Sequence, residues 1–600
     1  MKNPFMFVVV VFLAWAGFSF PQGQKPELKM VPKDSTLKTT LEEVVVESSK
    51  DSFKISPLIG PFYSDDPQKT LTLMPGVVSV IPLLAENTVD NLPSQFTGMY
   101  FGKDMLIPIL GNKTIFQGAN SIVNPEIFNL ILNADSYPAF YGSLGGVKRM
   151  IPKEFKEGLS GKVSSDFTDR YAVFSGNGAF FGIDAKSRFS LRQVKVFPLI
   201  SKVIPELKLL PEVIDIEMHS SLSHKKTSFE GYFLNSSQYQ NFQGESSFGL
   251  TDINQNINHV ILLGILKHRL EDVTLKFAHS YEKESQSSDL ILSSNKVESE
   301  EYLRNLTMNV ELSEKNDNYR MGFTFNSFNN VRLENGTGRN IYTLYFEKKF
   351  ILGNFLLIPS SSLSLFNKRF GDSEVLQVSY FADRFEFNFS LGKYETFLFD
   401  NNSMFEKRIY PKEYEKQDIG KHISLGGRVD TKSNLASFVD VSFFLKYLNA
   451  EFQREGYVKG SSKGIRALLR SDLLNSLFTG YLASSEMNGH EISGTISYDF
   501  NLTSSIPLFE ELAFNFQIGI REGIWSKNHS SGVYSRFENS YFLNLGFSSN
   551  FKFLGVEFEA SVAGFNLLGK SAELVRYYSE EELVSKKAPI WGNLLLGIQF

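Results

Sequence analysis

The feature that most constrains this chain is a two-residue alternation of apolar and polar side chains, which recurs from about Gly158 to the last residue, Phe600. One such stretch places Leu306, Met308, Val310 and Leu312 in alternation with Asn305, Thr307, Asn309 and Glu311. Because successive side chains of a β-strand point to opposite faces, each stretch predicts a strand with one apolar and one polar face. Marked in this way, the region contains about 22 strands, a number typical of large barrels with a plugged lumen.

The polar faces of these strands carry many charged residues, and this favours one fold class over another. An antiparallel transmembrane β-barrel turns its apolar faces to lipid and its polar faces to a wet lumen. A soluble β-sandwich also alternates, but all of the charged faces would then have to be solvent faces. The pattern therefore predicts an all-β transmembrane protein with a barrel over residues 158–600.

Composition agrees with this prediction and excludes other classes of protein. After the N-terminus no run of 18 apolar residues occurs, so no transmembrane helix is expected. The chain has 56 Phe and 24 Tyr but only three Trp, an aromatic content that suits lipid-facing strands. It has no Cys, which excludes disulfides and thiolate metal sites. A net charge of −5 gives no indication of nucleic-acid binding.

The predicted connections alternate between short turns and longer polar loops, as they do in outer-membrane barrels. Short turns are predicted at Ser223–Lys226, Arg269–Asp272, Ser313–Asn318 and Thr431–Ala436. Long loops are predicted at Asn235–Asn256, Glu282–Glu300, Thr396–Gly420 and Asn449–Ser462.

The N-terminus has the pattern of a secretory signal peptide. Lys2 precedes the apolar stretch Phe5–Leu13, and Ala14 and Ala16 supply small residues for cleavage. We predict a signal peptide over residues 1–16, with cleavage after Ser19 as the alternative. Residues 22–38 are polar, and Pro21, Pro26 and Pro32 lie in or beside them, so residues 17–40 are predicted to form a flexible leader.

One segment before the predicted barrel carries a resemblance to a known family. Its sequence, NPEIFNLILNADSYPAFYGSLGGV, starts at Asn124 and ends in a glycine-rich turn before a short strand. It resembles the closing segment of the plug domain of TonB-dependent outer-membrane receptors. The matching positions are Asn124, Pro125, Ile127, Pro138, Ala139, Tyr141, Gly142, Gly145, Gly146 and Val147.

The resemblance implies a small α+β plug domain over residues 52–157, placed inside the barrel. The stretch from Leu71 through Pro75, Gly76 and Val77 resembles a second plug segment of that family. Two departures concern charge. Where the family carries an Arg-Gly pair this chain has Phe101-Gly102, and where the family carries Asp-Gly it has Leu110-Gly111.

A short acidic and β-prone segment precedes the plug. It comprises Leu41, Glu42, Glu43, Val44, Val45, Val46 and Glu47. A valine triplet of this kind favours a strand, whose edge can pair with a strand of a partner. The segment resembles the TonB box, through which the TonB energy-transducing complex pulls on the plug. The alternative is a plain edge strand of the plug.

The C-terminus also resembles that of outer-membrane proteins. The last strand places Leu594, Leu596, Ile598 and Phe600 on one face, and a terminal Phe of this kind is similar to the signal that barrel-assembly machinery reads.

No pattern of catalytic residues stands out, and the eight His residues show no ligand spacing, so we predict no enzyme, no cofactor and no metal. By resemblance, the chain is expected in the cell outer membrane, in contact with lipid, where it imports a scarce solute. Siderophore, cobalamin and oligosaccharide classes remain open. The alternative is a non-energised barrel with a permanent plug, an interpretation that the two missing plug charges favour.

Overall fold

A computed structural model of the chain describes 27 stretches of residues. They are 44–45, 71–79, 87–92, 97–102, 107–109, 124, 126–134, 137–141, 144–156, 158–165, 169–195, 209–243, 250–292, 295–314, 318–330, 339–366, 369–396, 418–431, 433–452, 456–487, 495–523, 525–527, 534–536, 538–570, 573–579, 582–587 and 590–600. The predicted signal peptide and leader lie outside the described residues.

The N-terminal part forms a small mixed plug. Its strands are β1 (Val44–Val45), β2 (Val77–Ser79), β3 (Asn87–Val89), β4 (Thr97–Phe101), β5 (Ile107–Pro108), β6 (Phe128–Asn133) and β7 (Gly146–Pro152). One five-stranded sheet has the order β1-β6-β7-β4-β5, and β2 pairs with β3. The helical elements in the described part of the plug are two 3-10 turns, Leu71–Leu73 and Ala139–Tyr141. The described plug residues contribute no α-helix to the predicted α+β domain.

The remaining chain forms a closed antiparallel barrel. Its first half comprises β8 (Ser160–Ser165), β9 (Asp169–Phe180), β10 (Ile183–Lys195), β11 (Leu209–His224), β12 (Thr227–Gln243), β13 (Leu250–Arg269), β14 (Val273–Leu292), β15 (Asn295–Glu314), β16 (Tyr319–Asn330), β17 (Arg339–Lys348), β18 (Phe350–Leu352) and β19 (Phe355–Phe366). Its second half comprises β20 (Arg369–Ala382), β21 (Phe385–Thr396), β22 (Asp418–Asp430), β23 (Phe438–Phe452), β24 (Gly456–Ser471), β25 (Ser476–Met487), β26 (Tyr498–Phe509), β27 (Leu512–Arg521), β30 (Ser540–Phe553), β31 (Val556–Phe565) and β34 (Trp591–Gln599).

The barrel has 22 strands, because β18 continues β17 beyond Lys349 and both pair with β19. It closes where β34 pairs with β8. Two small hairpins lie in its connections, β28 (Trp525–Lys527) with β29 (Tyr534–Arg536), and β32 (Glu573–Ser579) with β33 (Glu582–Lys587). The prediction of a barrel of about 22 strands is confirmed.

The two faces of the barrel wall have the predicted character. On β15 the side chains of Met308 and Val310 are exposed, whereas Asn309 and Glu311 point inward and are buried. Exposed apolar side chains line the outer face of the other long strands in the same way. Such a band is what a hydrocarbon environment requires. Among the described residues no helix is long and apolar enough to cross a membrane.

The two ends of the barrel differ. At the end where Phe600 lies, here called the turn end, the strands are joined by ten connections, most of them tight. All four predicted short turns fall there. The connections at the opposite end, the loop end, include the predicted loop between β21 and β22, whose residues 397–417 lie outside the described ones.

The other three predicted loops are wrong in most of their length. Strands β12 to β15 and β23 to β24 continue through them, and β13, β14 and β15 each reach 20 residues. The reason is that a strand beyond the apolar band meets water on its outer face. Its two polar faces then remove the alternation that marks a strand in the sequence.

The plug packs inside the barrel through a buried apolar cluster. Plug residues Phe101, Phe128 and Leu130 share this cluster with Tyr232 and Ile261 of the wall. The strands of the wall that form this seat are β12, β13 and β14.

Candidate functional site

The predicted TonB-box segment lies at the edge of the plug sheet. Val44 pairs with Leu132 and Val45 with Ile131, both in antiparallel register on β6. Because β1 comes first in the sheet order, only one of its sides is paired within the sheet. Leu41, Glu42, Glu43, Val46 and Glu47 lie outside the described residues. An edge position is compatible with a box and with a plain edge strand.

The Asn-Pro motif ties the plug to the barrel. Asn124 is buried, and its side-chain amide donates a hydrogen bond to the Ser190 hydroxyl on β10 at 2.8 Å. Its side-chain oxygen accepts from the Glu126 amide at 2.9 Å, which fixes the turn into β6. Pro125 lies outside the described residues. Asn124 thus lies at the plug–barrel boundary.

The second half of the motif is a 3-10 turn seated on the opposite wall. Ala139 donates its amide to the Ser360 hydroxyl at 2.8 Å, and its carbonyl accepts from Ser362 at 3.3 Å. Pro138 accepts a hydrogen bond from the Tyr141 amide, and the carbonyl of Tyr141 accepts from the Tyr100 hydroxyl at 2.7 Å. Burial raises the pKa of Tyr141, so its hydroxyl stays protonated.

The glycine pair that follows allows a close chain approach. Gly146 has φ +120°, and a Cβ placed on it would lie 2.9 Å from the carbonyl oxygen of Asn133. Glycine is the residue that tolerates both conditions. Gly145 is buried beside it, and Gly142 lies outside the described residues.

An aromatic and charged cluster surrounds this turn. The guanidinium of Arg320 lies 5.0 Å from the ring centroid of Phe140 and pairs with Glu347 at 2.9 Å. The ring of Tyr345 stacks on Phe140 with 4.4 Å between centroids, and its hydroxyl donates to Glu311 at 2.8 Å. The turn is therefore held by stacking as well as by hydrogen bonds.

The segment with Pro75, Gly76 and Val77 forms a turn into β2. Gly76 has φ +84°, and its carbonyl accepts from the amide of Asp90 at 2.8 Å. A Cβ on Gly76 would come within 2.6 Å of the Asp90 carboxylate. The glycine therefore lets a buried carboxylate pass close to the backbone.

The Asp90 carboxylate belongs to a contact between plug and barrel wall that the sequence analysis did not predict. Asp90 and its neighbour Asn91, here called the latch, both have positive φ, at 53° and 61°. Asp90 is fully buried and pairs with Lys446 of β23 at 2.7 Å and with Arg466 of β24 at 3.5 Å. Removing one partner of such a buried pair typically costs about 3–5 kcal/mol.

Further hydrogen bonds hold the latch in place. The Ser462 hydroxyl donates to the Asp90 carbonyl at 2.6 Å. Asn91 donates to the carbonyl of Ile496 at 2.6 Å and accepts from its amide at 3.0 Å. Ile496 precedes β26 at the loop end, so the latch connects the plug with a loop-end connection. The available sequence signal was the Asp-Asn pair itself, between β3 and β4, since these residue types tolerate positive φ.

A second acidic anchor lies at Glu126. Its carboxylate pairs with Lys162 of β8 at 3.0 Å and accepts from the Tyr171 hydroxyl at 3.0 Å. Burial by itself raises the pKa of Glu126. The charges of Lys162 and Lys153 and the two hydrogen bonds outweigh that effect and bring the pKa from 4.5 to about 2.

At position 101, where the resemblance implies an arginine, this chain has a Phe that contacts aromatic rings of both the plug and the barrel wall. Phe101 is fully buried, stacks on Tyr232 of the wall with 5.3 Å between centroids, and meets Phe128 edge-on at 5.7 Å. An aromatic contact thus occupies the place where the family motif has a charge. Leu110 lies outside the described residues.

The C-terminal residues lie where the barrel closes. Leu594, Leu596, Ile598 and Phe600 are all exposed on the outer face. Phe600 exchanges two backbone hydrogen bonds with Gly161, at 2.8 and 3.0 Å. A Cβ on Gly161 would lie 2.7 Å from the Phe600 ring, so the ring fills the space above this glycine.

The arrangement is suited to holding a plug. Among the described residues no group of three or more His, Asp or Glu side chains is placed to hold a metal ion. Two carboxylates of the plug, Asp90 and Glu126, pair with cations of the barrel wall.

No family model and no curated protein matches this sequence. Solved structures do match in fold. The siderophore receptor PirA from Acinetobacter baumannii has 12% identity and a TM-score of 0.71, with 95% of this chain and 100% of PirA covered. A point mutant of the ferric enterobactin receptor PfeA from Pseudomonas aeruginosa has 12% identity and a TM-score of 0.66, with 93% of this chain and 98% of PfeA covered.

The unliganded ferric citrate transporter FecA is similar to the same degree, with 11% identity, a TM-score of 0.67, and 93% of this chain and 96% of FecA covered. In all three comparisons plug and barrel are matched along nearly their whole length. The chain therefore has the fold of the TonB-dependent outer-membrane receptors, in which a plug domain is enclosed by a 22-stranded barrel.

Proposed function

We propose that this protein is an outer-membrane receptor, and not an enzyme, that binds a scarce solute at its loop end. Import would follow when the TonB complex pulls on residues 41–47 and displaces or remodels the plug. The observation that carries this proposal is the position of β1. A two-residue strand at a sheet edge can leave the plug at the expense of very few backbone hydrogen bonds.

The solute class is proposed from the similar structures. Two of them are named for siderophores or ferric enterobactin and the third for ferric citrate. Among the siderophore, cobalamin and oligosaccharide classes, these names support a ferric siderophore. The turn end then faces the periplasm, where TonB reaches the plug.

Proline at Val45 tests the proposal. It removes a backbone donor and fixes φ, which an added strand tolerates poorly. We expect Val45→Pro to assemble normally and to bind ferric siderophore to whole cells as the wild type does, while energy-dependent uptake of iron is lost. Uptake at the wild-type rate would contradict a TonB box at this position.

A second candidate is a passive barrel with a permanent plug. The aromatic seat of Phe101 and the buried latch favour it, since both hold the plug without the family's usual charges. In this case the wild type would show no energy-dependent uptake with ferric enterobactin, ferric citrate, cobalamin or maltooligosaccharides, even where binding is measurable.

A further inference from the structure

The turn end carries an unusual number of exposed apolar side chains. Eight of its ten connections have a strongly exposed Leu or Phe in the turn or directly beside it. These residues, here called the apolar rim, are Phe181, Leu270, Leu352, Phe385, Leu435, Leu473, Phe509 and Leu554. The side chains of Phe181 and Leu554 are 86% and 87% exposed.

The rim is continuous with the lipid-facing band. Next to Leu554, the outward residues Phe553 and Val556 pair across the hairpin. Next to Phe509, the partner residue is Leu512. On the outer face, apolar side chains therefore continue from the barrel wall up to both turns. The two residues between Phe509 and Leu512 are Glu510 and Glu511, so this turn has a charged tip. At the loop end the strands run instead into polar sequence, as in residues 285–289 and 295–301.

The distribution of the rim indicates what covers it. Its members lie on hairpins around most of the barrel, from β9–β10 to β30–β31. A protein partner would cover one sector, whereas lipid surrounds the barrel on all sides. Single exposed apolar residues need no explanation, but a ring that extends a membrane-facing surface does. The turn at Lys225 and Lys226 has no rim residue, and the turns at 271–272, 383–384 and 510–511 combine a rim residue with charged residues.

We propose that the apolar rim inserts into the inner leaflet of the membrane. The turns then lie at the boundary between acyl chains and headgroups rather than in the aqueous periplasm. Lys225 and Lys226 reach the headgroup phosphates from the polar part of the same end. The immersed rim sets the depth of the barrel, so the excess length of β13, β14 and β15 projects from the opposite surface.

Single cysteines test this placement, because the chain has none of its own. Leu554→Cys and Leu473→Cys would carry an environment-sensitive fluorophore in full-length protein inserted into phosphatidylcholine vesicles, with Lys225→Cys as the matched control. We expect doxyl-labelled lipid to quench the probes at 554 and 473 at least threefold more than the probe at 225. Iodide in the aqueous compartment that the turns face should quench the probe at 225 more strongly than the probes at 554 and 473.

Probes at 554 and 473 that iodide quenches as strongly as the control, with no lipid quenching, would overturn the proposal. If the same positions then become shielded from impermeant maleimide only in whole envelopes, a periplasmic protein covers the rim. Correct insertion of each variant is checked by its heat-modifiable gel mobility, so a folding defect cannot be mistaken for either result.

Discussion

Two carboxylates of the plug, the fully buried Asp90 and the partly buried Glu126, show how single residues fix the plug in the barrel. Each meets cationic side chains of the wall, Lys446 in one case and Lys162 in the other. A carboxylate buried without such a partner would be strongly destabilising. Lys446 lies on β23 and Lys162 on β8, so each pair joins the plug to a different sector of the barrel.

Glu126 gives a prediction for pH dependence. Since its folded pKa is about 2 and its ordinary value is 4.5, its stabilisation is complete above pH 4.5 and is lost as the pH falls towards 2. A shift of this size corresponds to roughly 3 kcal/mol. We expect Glu126→Gln to raise hydrogen exchange of the Ile127 and Lys153 segment on the order of 10- to 100-fold at pH 6.

The difference between Glu126→Gln and wild type should narrow between pH 4.5 and 2, because protonation then neutralises the wild-type carboxylate as well. Glu154→Gln is the matched control, since the Glu154 side chain is exposed. A difference that stayed constant down to pH 2.5 would show that charge at Glu126 is not the cause.

Gly161 and Phe600 give a second prediction at this scale. The Phe600 ring occupies the space that any side chain at position 161 would need. We expect deletion of Phe600, and also Gly161→Val, to leave most of the protein unfolded in the periplasm, seen as loss of heat-modifiable gel mobility. Gly178→Val on the neighbouring strand β9 should be tolerated, because nothing lies within 4 Å of its Cβ position. Normal folding of Gly161→Val would refute the closure contact.

At the scale of elements, the latch links the β2–β3 hairpin of the plug with the loop end. Asn91 bonds Ile496, and the next residue, Ser497, donates its amide to the carboxylate of Glu522, which in turn pairs with Arg536 of β29. A contiguous series of contacts therefore joins a loop-end hairpin to the turn at Gly76. Movement of that hairpin would therefore change the contacts of the latch.

Glu522→Gln tests this connection. A lost hydrogen bond to a charged group costs about 1.5–3 kcal/mol, so exchange of the plug segment 76–91 should rise by about tenfold or more. Glu510→Gln, at an exposed turn-end position, is the control. Faster exchange near Ser497 with an unchanged plug segment would show that the contacts exist without coupling the two elements.

At the scale of the whole molecule, the strand order fixes which connections share a side of the membrane. Asp272 lies in the turn between β13 and β14, and Asn295 begins β15 at the loop end, so the two are at opposite ends of β14. We expect an impermeant maleimide to label Asn295→Cys on intact cells and to spare Asp272→Cys until the envelope is opened. The reverse pattern would invert the proposed orientation.

Sequence by itself determined the barrel. The two-residue period depends only on local chain geometry and on whether lipid or the lumen lies at each face. The approximate number of strands, their inward and outward faces and the closing strand could therefore be read from the sequence. The plug motifs were recognisable for a related reason. Gly76, Gly146 and Asn124 serve backbone conformations or turns that are encoded within a few residues.

Only the tertiary structure decided how plug and barrel meet. The partners of Asp90 lie more than 350 positions away in the chain, and no local pattern relates such distant charges. Strand length beyond the apolar band was also hidden, because water on both faces removes the alternation. The role of Phe101 was hidden for the same reason. In the sequence it is a position without the expected charge, whereas in the structure its ring stacks on the distant Tyr232.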